Sequence, residues 1–229
     1  INEGDKNFNV NEADGTVLAE NLGAVEGVTF SNEGVEADDL QVVAGATINL
    51  GEGQSLTAGD NKVTAKEGAT VQVGDNSLTV DGAAQIQAAT DTELTLGAGE
   101  FSVNDVEFTS GEKTQAKATE GGVEFNLAES EGLTYDDMTL TGDGEAAAVV
   151  NSEGVTLSGG AKAENTAGKA LTVSGEAQLD DKTINAAEPT QVTATEKGLT
   201  VGETELEVEG DNDGYQINIA GGSIAGLEN

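Results

Sequence analysis

A six-residue segment with alternating apolar and polar residues recurs at an even interval in this sequence. It reads GATINL at residues 45–50, GATVQV at residues 68–73 and DTELTL at residues 91–96. The step between successive copies is 23 residues. A fixed period of this length in strand-like sequence is typical of solenoids, in which each coil packs mainly against its neighbours.

Apolar residues at the first and third positions of short triplets extend this pattern along most of the chain. Series of this kind pass through Leu56 and Val63, and the clearest one contains Ile48, Val71, Leu94, Ala116, Met138, Ala161, Ile184 and Leu206. Side chains alternate between the two faces of a strand, so we expect these residues in the core and the polar residue between them in water. The pattern predicts an all-β parallel β-helix with three short strands per coil, 22–23 residues per coil and about nine or ten coils.

Glycine-rich corners separate the triplets, and the composition of the chain shows no break that would mark a second domain. We therefore expect a single β-helix domain over residues 1–229. Residues 1–27 and 220–229 fit the period less well, and we expect them to form irregular ends. End coils of a solenoid must cover an open core and unpaired strand edges, which explains such irregularity.

The charge of the chain restricts its partners. There are 43 acidic residues against 9 lysines, with no Arg, His or Cys, and the net charge is −34. Nucleic acids and anionic membrane surfaces would repel such a chain, so neither is an expected partner. The sequence has no apolar run long enough for a transmembrane helix. It opens at Ile1 rather than Met, from which we expect that a signal peptide or an upstream region was removed. We expect a secreted or cell-surface location.

The sequence lacks the residues that most kinds of enzymatic catalysis need. Without His and Cys there is neither a nucleophilic triad nor a zinc site. A general base near neutral pH would have to be a carboxylate or Lys. The carboxylate pairs of the sequence are Asp38–Asp39, Asp136–Asp137 and Asp180–Asp181. We expect them to be solvated corners of a protein that is not an enzyme, and a carboxylate-based polysaccharide-active enzyme is the alternative.

Calcium is the one ligand with support from a motif. The segment Asp211-Asn212-Asp213-Gly214 places oxygen donors at alternate positions before a glycine, as at the start of a calcium loop, but lacks the downstream bidentate Glu. Acids also recur at successive corners, as at Asp75, Glu100, Glu120 and Asp143. We expect no cofactor and solvated acidic corners, and a calcium-stabilised surface module with Asp211 and Asp213 as ligands is a further alternative.

In architecture, the segment from Phe8 to Ile219 resembles the secreted parallel β-helices of bacterial adhesins and surface proteins. This resemblance implies a non-enzymatic extracellular structural or adhesin-like domain, with a host or cell-surface protein or a glycan as partner. The chain is also similar in architecture to pectate-lyase-like and polygalacturonase-like β-helices. Their sites place Arg, Lys or His beside paired Asp residues, and this sequence contains neither Arg nor His. The oligomeric state does not follow from the sequence.

Overall fold

The computed structural model describes residues 7–11, 16–20, 29–31, 34–36, 45, 47–195, 198–202, 204–207, 216–220 and 223–228. Every regular element in this part of the chain is a β-strand. The strands are β1 (Asn7–Asn11), β2 (Thr16–Glu20), β3 (Thr29–Ser31), β4 (Gly34–Glu36), β5 (Thr47–Leu50), β6 (Ser55–Ala58), β7 (Asn61–Ala65), β8 (Ala69–Val73), β9 (Ser77–Asp81), β10 (Ala84–Gln87), β11 (Glu93–Leu96), β12 (Gly99–Val103), β13 (Val106–Ser110), β14 (Lys113–Thr119), β15 (Gly122–Glu131), β16 (Leu133–Tyr135), β17 (Met138–Thr141), β18 (Ala147–Asn151), β19 (Gly154–Ser158), β20 (Ala161–Glu164), β21 (Ala170–Leu179), β22 (Lys182–Thr195), β23 (Gly198–Val201), β24 (Thr204–Glu207), β25 (Gln216–Ala220) and β26 (Ser223–Glu228).

The chain divides into two compact units, Ile1–Val123 and Glu124–Asn229. In the first unit, β5, β8, β9, β11 and β14 form one ladder, which we call ladder A. Strands β6, β7, β10, β12 and β13 form a second, ladder B. The pairs β9–β11 and β10–β12 are parallel, and the other pairs are antiparallel. The chain therefore winds by passing repeatedly from one ladder to the other.

The second unit is built in the same way. Its ladder A contains β18, β19, the first half of β21, the second half of β22, β23 and β24. Its ladder B contains β16, β17, β20, the second half of β21, the first half of β22, β25 and β26. A register shift between Val173 and Gly175 separates the two halves of β21. The long strands β21 and β22 thus belong to both ladders.

The prediction of an all-β solenoid with stacked parallel coils is confirmed, and three details of it differ in the described residues. In this part of the chain the solenoid has about six turns rather than nine or ten. Residues separated by the predicted period do face each other, as Ile48 faces Val71 and Leu94 faces Ala116, but both pairs are antiparallel. Among the described residues, β5–β14 of the first unit and β16–β26 of the second form two ladders each, not three faces, and β1–β2 and β3–β4 are separate hairpins.

Hairpin turns explain why the strand directions differ from the prediction. Asn104 and Asp105 between β12 and β13, and Asp136 and Asp137 between β16 and β17, all have positive φ. Two successive left-handed residues form the tight turn that suits a two-residue hairpin, so the chain reverses at these points. The alternation of buried and exposed residues is the same in parallel and antiparallel strands, and it could not reveal the reversal.

The core follows the predicted inward positions. Val71 and Leu94 are completely buried, whereas Gln72 and Lys162, at middle positions of their triplets, are exposed. The inward and outward faces of these strands are therefore as predicted. The ring of Phe108 is also buried and stacks on Phe101 with 6.0 Å between the ring centroids.

Small core residues are matched by larger ones across the ladders. Ala163 of β20 lies directly opposite Leu179 of β21, and Ala116 of β14 lies opposite Leu94. All four side chains are buried. Leu179 therefore fills core space beside the small side chain of Ala163.

The two units share an internal repeat that is not apparent in the sequence. The hairpin pair Leu56–Val63 recurs 77 positions later as Leu133–Leu140. The pairs that follow correspond in the same way and become 76 positions apart after β11. The corresponding pairs are Leu78–Leu94 with Val155–Leu171, Ala84–Phe101 with Ala161–Ala177, and Val103–Val106 with Leu179–Lys182. Strand order, direction and register therefore repeat over residues 56–118 and 133–194.

The ends of the chain are described only in part. Strands β1 and β2 form an antiparallel hairpin within residues 1–27, and β26 pairs with β25 at the other end. The remaining residues of these segments lie outside the described part of the chain. The predictions of one domain and of irregular ends stay predictions.

Candidate functional site

Two sets of acidic residues that the sequence suggested as candidates lie outside the described residues. These are the calcium candidates Asp211 and Asp213, and the pair Asp38–Asp39. The calcium site therefore stays a prediction. The two remaining pairs, Asp136–Asp137 and Asp180–Asp181, are both described and occupy equivalent kinds of position, at hairpin turns.

The pair Asp136–Asp137 joins β16 to β17, and the Asp136 side chain binds a lysine. The Nζ of Lys169 lies 2.5 Å from a carboxylate oxygen of Asp136 and donates to its carbonyl oxygen at 2.6 Å. Lys169 belongs to the connection between β20 and β21. This contact fastens that connection to the hairpin, which is a structural role for the carboxylate.

The carboxylate of Asp180 fastens the same connection from a second hairpin. It accepts the N–H of Asn165 at 2.7 Å and the hydroxyl of Thr166 at 2.5 Å, and Thr166 is fully buried. Its neighbour Asp181 lies 2.6 Å from the Nζ of Lys182. Three of the four carboxylates in these two pairs thus hold backbone segments or lysines in place.

The first unit uses an amide where the second uses Asp180. Asn104 occupies the equivalent turn position, and its side chain accepts the N–H of Ala88 at 2.9 Å and donates to the carbonyl of Ala88 at 3.0 Å. Both residues have positive φ, which Asn and Asp tolerate better than other non-glycine residues. In each unit, a side chain at this turn therefore helps to hold the connection between the two ladders.

We expect Asp180→Ala to destabilise the protein by about 1–3 kcal/mol more than Asp137→Ala, because only the first change leaves the buried Thr166 hydroxyl and a backbone N–H without their acceptor. Both positions have positive φ, so the conformational cost of Ala is similar in the two variants. Urea unfolding measures the difference. Equal losses would mean that the Asp180 contacts contribute nothing beyond the turn.

The acids at successive corners do not gather into a metal site in the described part of the chain. Asp75, Glu100, Glu120 and Asp143 are all exposed. Among the described residues, no group of three or more acidic side chains is placed to hold a metal ion. Their arrangement agrees with solvated corners.

A cleft of about 250 Å³ lies at the turns of the first unit. It is lined by the turn between β6 and β7 with Asp60, by the turn between β8 and β9 with Asp75, and by Ala89. The walls are fixed by hydrogen bonds. Asn61 accepts the N–H of Ala89 at 2.8 Å, and Asn76 donates to the carbonyl of Asp91 at 2.9 Å. Hydrogen bonds thus hold the two turns that line the cleft, and each turn carries an exposed carboxylate.

Several residues that shape these sites had no signal in the sequence. Asn61 begins β7, Asn104 lies in the turn between β12 and β13, and Lys169 lies in the connection between β20 and β21. Their roles depend on partners 28, 16 and 33 positions away in the chain. An Asn at the first position of a two-residue turn is the local signal that could have indicated Asn104.

Added salt is expected to raise the Tm of the chain from its value at low ionic strength, because the net charge of −34 produces repulsion that salt screens. Calcium at matched ionic strength should do no more than sodium if the corners are merely solvated. If Asp211 and Asp213 bind calcium, millimolar calcium should exceed sodium, and Asp211→Asn with Asp213→Asn should remove the excess. A Tm that responds to neither salt would contradict the electrostatic explanation.

No helix long and apolar enough to cross a membrane occurs among the described residues. The chain matches no protein-family model, no curated protein and no solved structure.

Proposed function

We propose that the chain is a non-enzymatic structural or adhesin-like domain of a secreted or cell-surface protein. The observation that carries this proposal is a row of uncharged polar side chains across ladder A of the first unit. The register aligns it as Thr47, Gln72, Thr79, Thr95 and Gln115. None of the five is buried. A row of hydroxyls and amides on successive strands offers many donors and acceptors on one sheet face.

The second unit carries an equivalent row. Thr156, Thr172 and Gln191 align on β19, β21 and β22 at the positions that correspond to Thr79, Thr95 and Gln115. Because the residues of these rows carry no charge, a protein or glycan can approach them on a chain whose net charge of −34 would otherwise dominate the encounter. This supports a binding or spacing role better than a chemical one.

A carboxylate-based enzyme is the weaker proposal, because the described carboxylate pairs already have structural partners. Asp136 binds Lys169, and Asp180 holds Asn165 and Thr166. A general acid or base needs a carboxylate that can reach substrate. The calcium-stabilised module remains an alternative that the salt experiment addresses.

The adhesin-like role is tested by the binding of the purified chain to host cells and to a glycan array at physiological salt. We expect saturable binding, and at least a tenfold loss for Thr79→Glu with Thr95→Glu, which place charge in the row. The matched control is Thr64→Glu with Gln85→Glu, which places the same charge on the outward face of ladder B. Antibodies against the chain should label intact cells of its source. Equal binding by both double variants, or the release of products from acidic polysaccharides, would contradict the proposal.

A further inference from the structure

The sequence contains four Asp–Gly pairs, and the structure holds two of them in very different ways. In such a pair the backbone nitrogen of glycine can attack the side chain of the preceding aspartate, because glycine has no Cβ to hinder the approach. Asp81–Gly82 lies in the first unit and Asp143–Gly144 in the second. Asp14–Gly15 and Asp213–Gly214 fall outside the described residues.

Asp143 and Gly144 lie in an exposed turn between β17 and β18. Gly144 has φ of +66°, and an added Cβ would meet nothing within 4 Å. The N–H of Ala146 donates to the carbonyl oxygen of Asp143 at 3.2 Å. Within the described residues, neither the Asp143 carboxylate nor the Gly144 N–H has a hydrogen-bond partner. The Gly144 nitrogen can therefore approach the carboxyl without losing a hydrogen bond of its own.

The residues on either side of this turn are held in place. Gly142 lies so close to Ala146 that an added Cβ at Gly142 would overlap the Cβ of Ala146. The carbonyl oxygen of Ala146 accepts the N–H of Leu127 at 3.0 Å, and both of these residues are buried. A reaction between Asp143 and Gly144 is thus confined to the exposed turn and does not require the core to open.

Asp81 and Gly82 are held much more firmly. Asp81 is the last residue of β9 and lies opposite Thr70 of β8. Its carboxylate lies against Gly97, where an added Cβ would overlap the Oδ1 atom. An added Cβ at Gly82 would overlap the carbonyl oxygen of Gly68, so the backbone has little room to turn. Ring closure at this pair requires the end of the strand to open, which costs free energy.

We propose that Asp143–Gly144 is a site of spontaneous modification, at which the chain forms a succinimide and then isoaspartate. The Gly144 nitrogen bonds to Cγ of Asp143, and the hydrogen of the nitrogen leaves with the hydroxyl of the carboxyl group as one water molecule. Water then adds to one of the two carbonyls of the five-membered ring. Opening at the α-carbonyl gives isoaspartate, and opening at the other carbonyl restores aspartate. No atom is oxidised or reduced, and water is the only co-reactant.

Isoaspartate changes this turn in two ways. The β-carbon of Asp143 enters the main chain, which gains one carbon between the fixed residues Gly142 and Ala146. The carbonyl group that accepts the Ala146 N–H becomes a free α-carboxylate. Lys66 and Glu67 occupy the equivalent positions of the first unit, where isoaspartate cannot form. The modification therefore alters the β17–β18 connection and leaves the equivalent connection of the first unit unchanged.

The test follows both pairs in the whole folded chain during incubation at physiological pH in water enriched in oxygen-18. Each ring opening places one oxygen-18 atom in the aspartate or isoaspartate, and peptide mass spectrometry after digestion in ordinary water locates the label. Electron-transfer fragmentation distinguishes isoaspartate from aspartate. We expect label and isoaspartate to accumulate at Asp143 at least about tenfold faster than at Asp81, because only Asp81 needs local opening.

Unfolding and substitution supply the controls. In concentrated urea the two identical dipeptides lose their different surroundings, and the difference between their rates should disappear. Asp143→Glu keeps the charge but requires a six-membered ring, so it should abolish isoaspartate at this turn. The matched variant Asp81→Glu should leave the rate at Asp143 unchanged. Equal rates at the two pairs in the folded chain, a faster reaction at Asp81, no oxygen-18 at Asp143, or a difference that persists in urea would overturn the proposal.

Discussion

Replacement of Gly82 by Ala is expected to destabilise the protein by about 2–5 kcal/mol. The residue has φ of +105°, and an added Cβ would lie 2.3 Å from the carbonyl oxygen of Gly68. A left-handed conformation costs a non-glycine residue about 1–2 kcal/mol. Overpacking against backbone adds about 1–3 kcal/mol, because the oxygen belongs to the adjoining strand connection and cannot rotate away. Chemical denaturation measures the loss.

A matched glycine separates the two contributions. Gly53 has φ of +74° with nothing within 4 Å of an added Cβ, so Gly53→Ala should show only the conformational cost. Gly159 corresponds to Gly82 in the second unit, and its added Cβ would lie 2.3 Å from the carbonyl oxygen of Glu145. Gly159→Ala should therefore resemble Gly82→Ala. A loss at Gly82 no larger than that at Gly53 would contradict the close approach.

The second large effect is expected from Leu94→Ala, at about 2–5 kcal/mol. Leu94 is completely buried, with Leu78 on one side in its ladder and Ala116 on the other. Because Ala116 is small, the side chain opposite Leu94 on β14 cannot fill the cavity that the substitution leaves. Urea unfolding of the variant measures the loss against the unchanged chain.

Thr79→Ala provides the control for this substitution. Thr79 points outward from β9, next to Leu78, and its replacement should change stability by less than about 0.5 kcal/mol. Leu171 occupies the position equivalent to Leu94 in the second unit and is also buried. A small loss at Leu94 together with a large one at Thr79 would mean that the register is reversed.

The sequence revealed the faces of the strands but not their directions. A side chain's burial depends on its place in a two-residue alternation, which is local, so Val71 and Leu94 were identified correctly. Direction depends on whether a turn reverses the chain. Asn104–Asp105 and Asp136–Asp137 do so through left-handed residues, and their sequences resemble any other polar corner.

The internal repeat and the cleft could not be predicted from the sequence for a different reason. Alternating apolar residues of many kinds fill equivalent core positions, so Phe101 corresponds to Ala177 without any change of fold. The cleft lies where two turns and Ala89 meet, and these lie far apart in the chain. Acids at corners could be read from the sequence, but the lysine and backbone partners of Asp136 and Asp180 could not.

The pairing of β11 with β14 tests most directly the claim that this solenoid is built from antiparallel as well as parallel strands. The chain has no cysteine, so engineered pairs supply its only thiols. In the structure Glu93 faces Lys117 and Thr95 faces Gln115. Directly opposed residues lie within the Cα separation of about 4.4–6.8 Å that a disulfide needs. The double cysteine variants 93/117 and 95/115 should therefore oxidise rapidly in the folded chain. The exchanged pairs 93/115 and 95/117 use the same four positions and would be opposed only if the two strands were parallel. Rapid oxidation of the first two pairs alone is the expected result, and rapid oxidation of the exchanged pairs alone would contradict the antiparallel register.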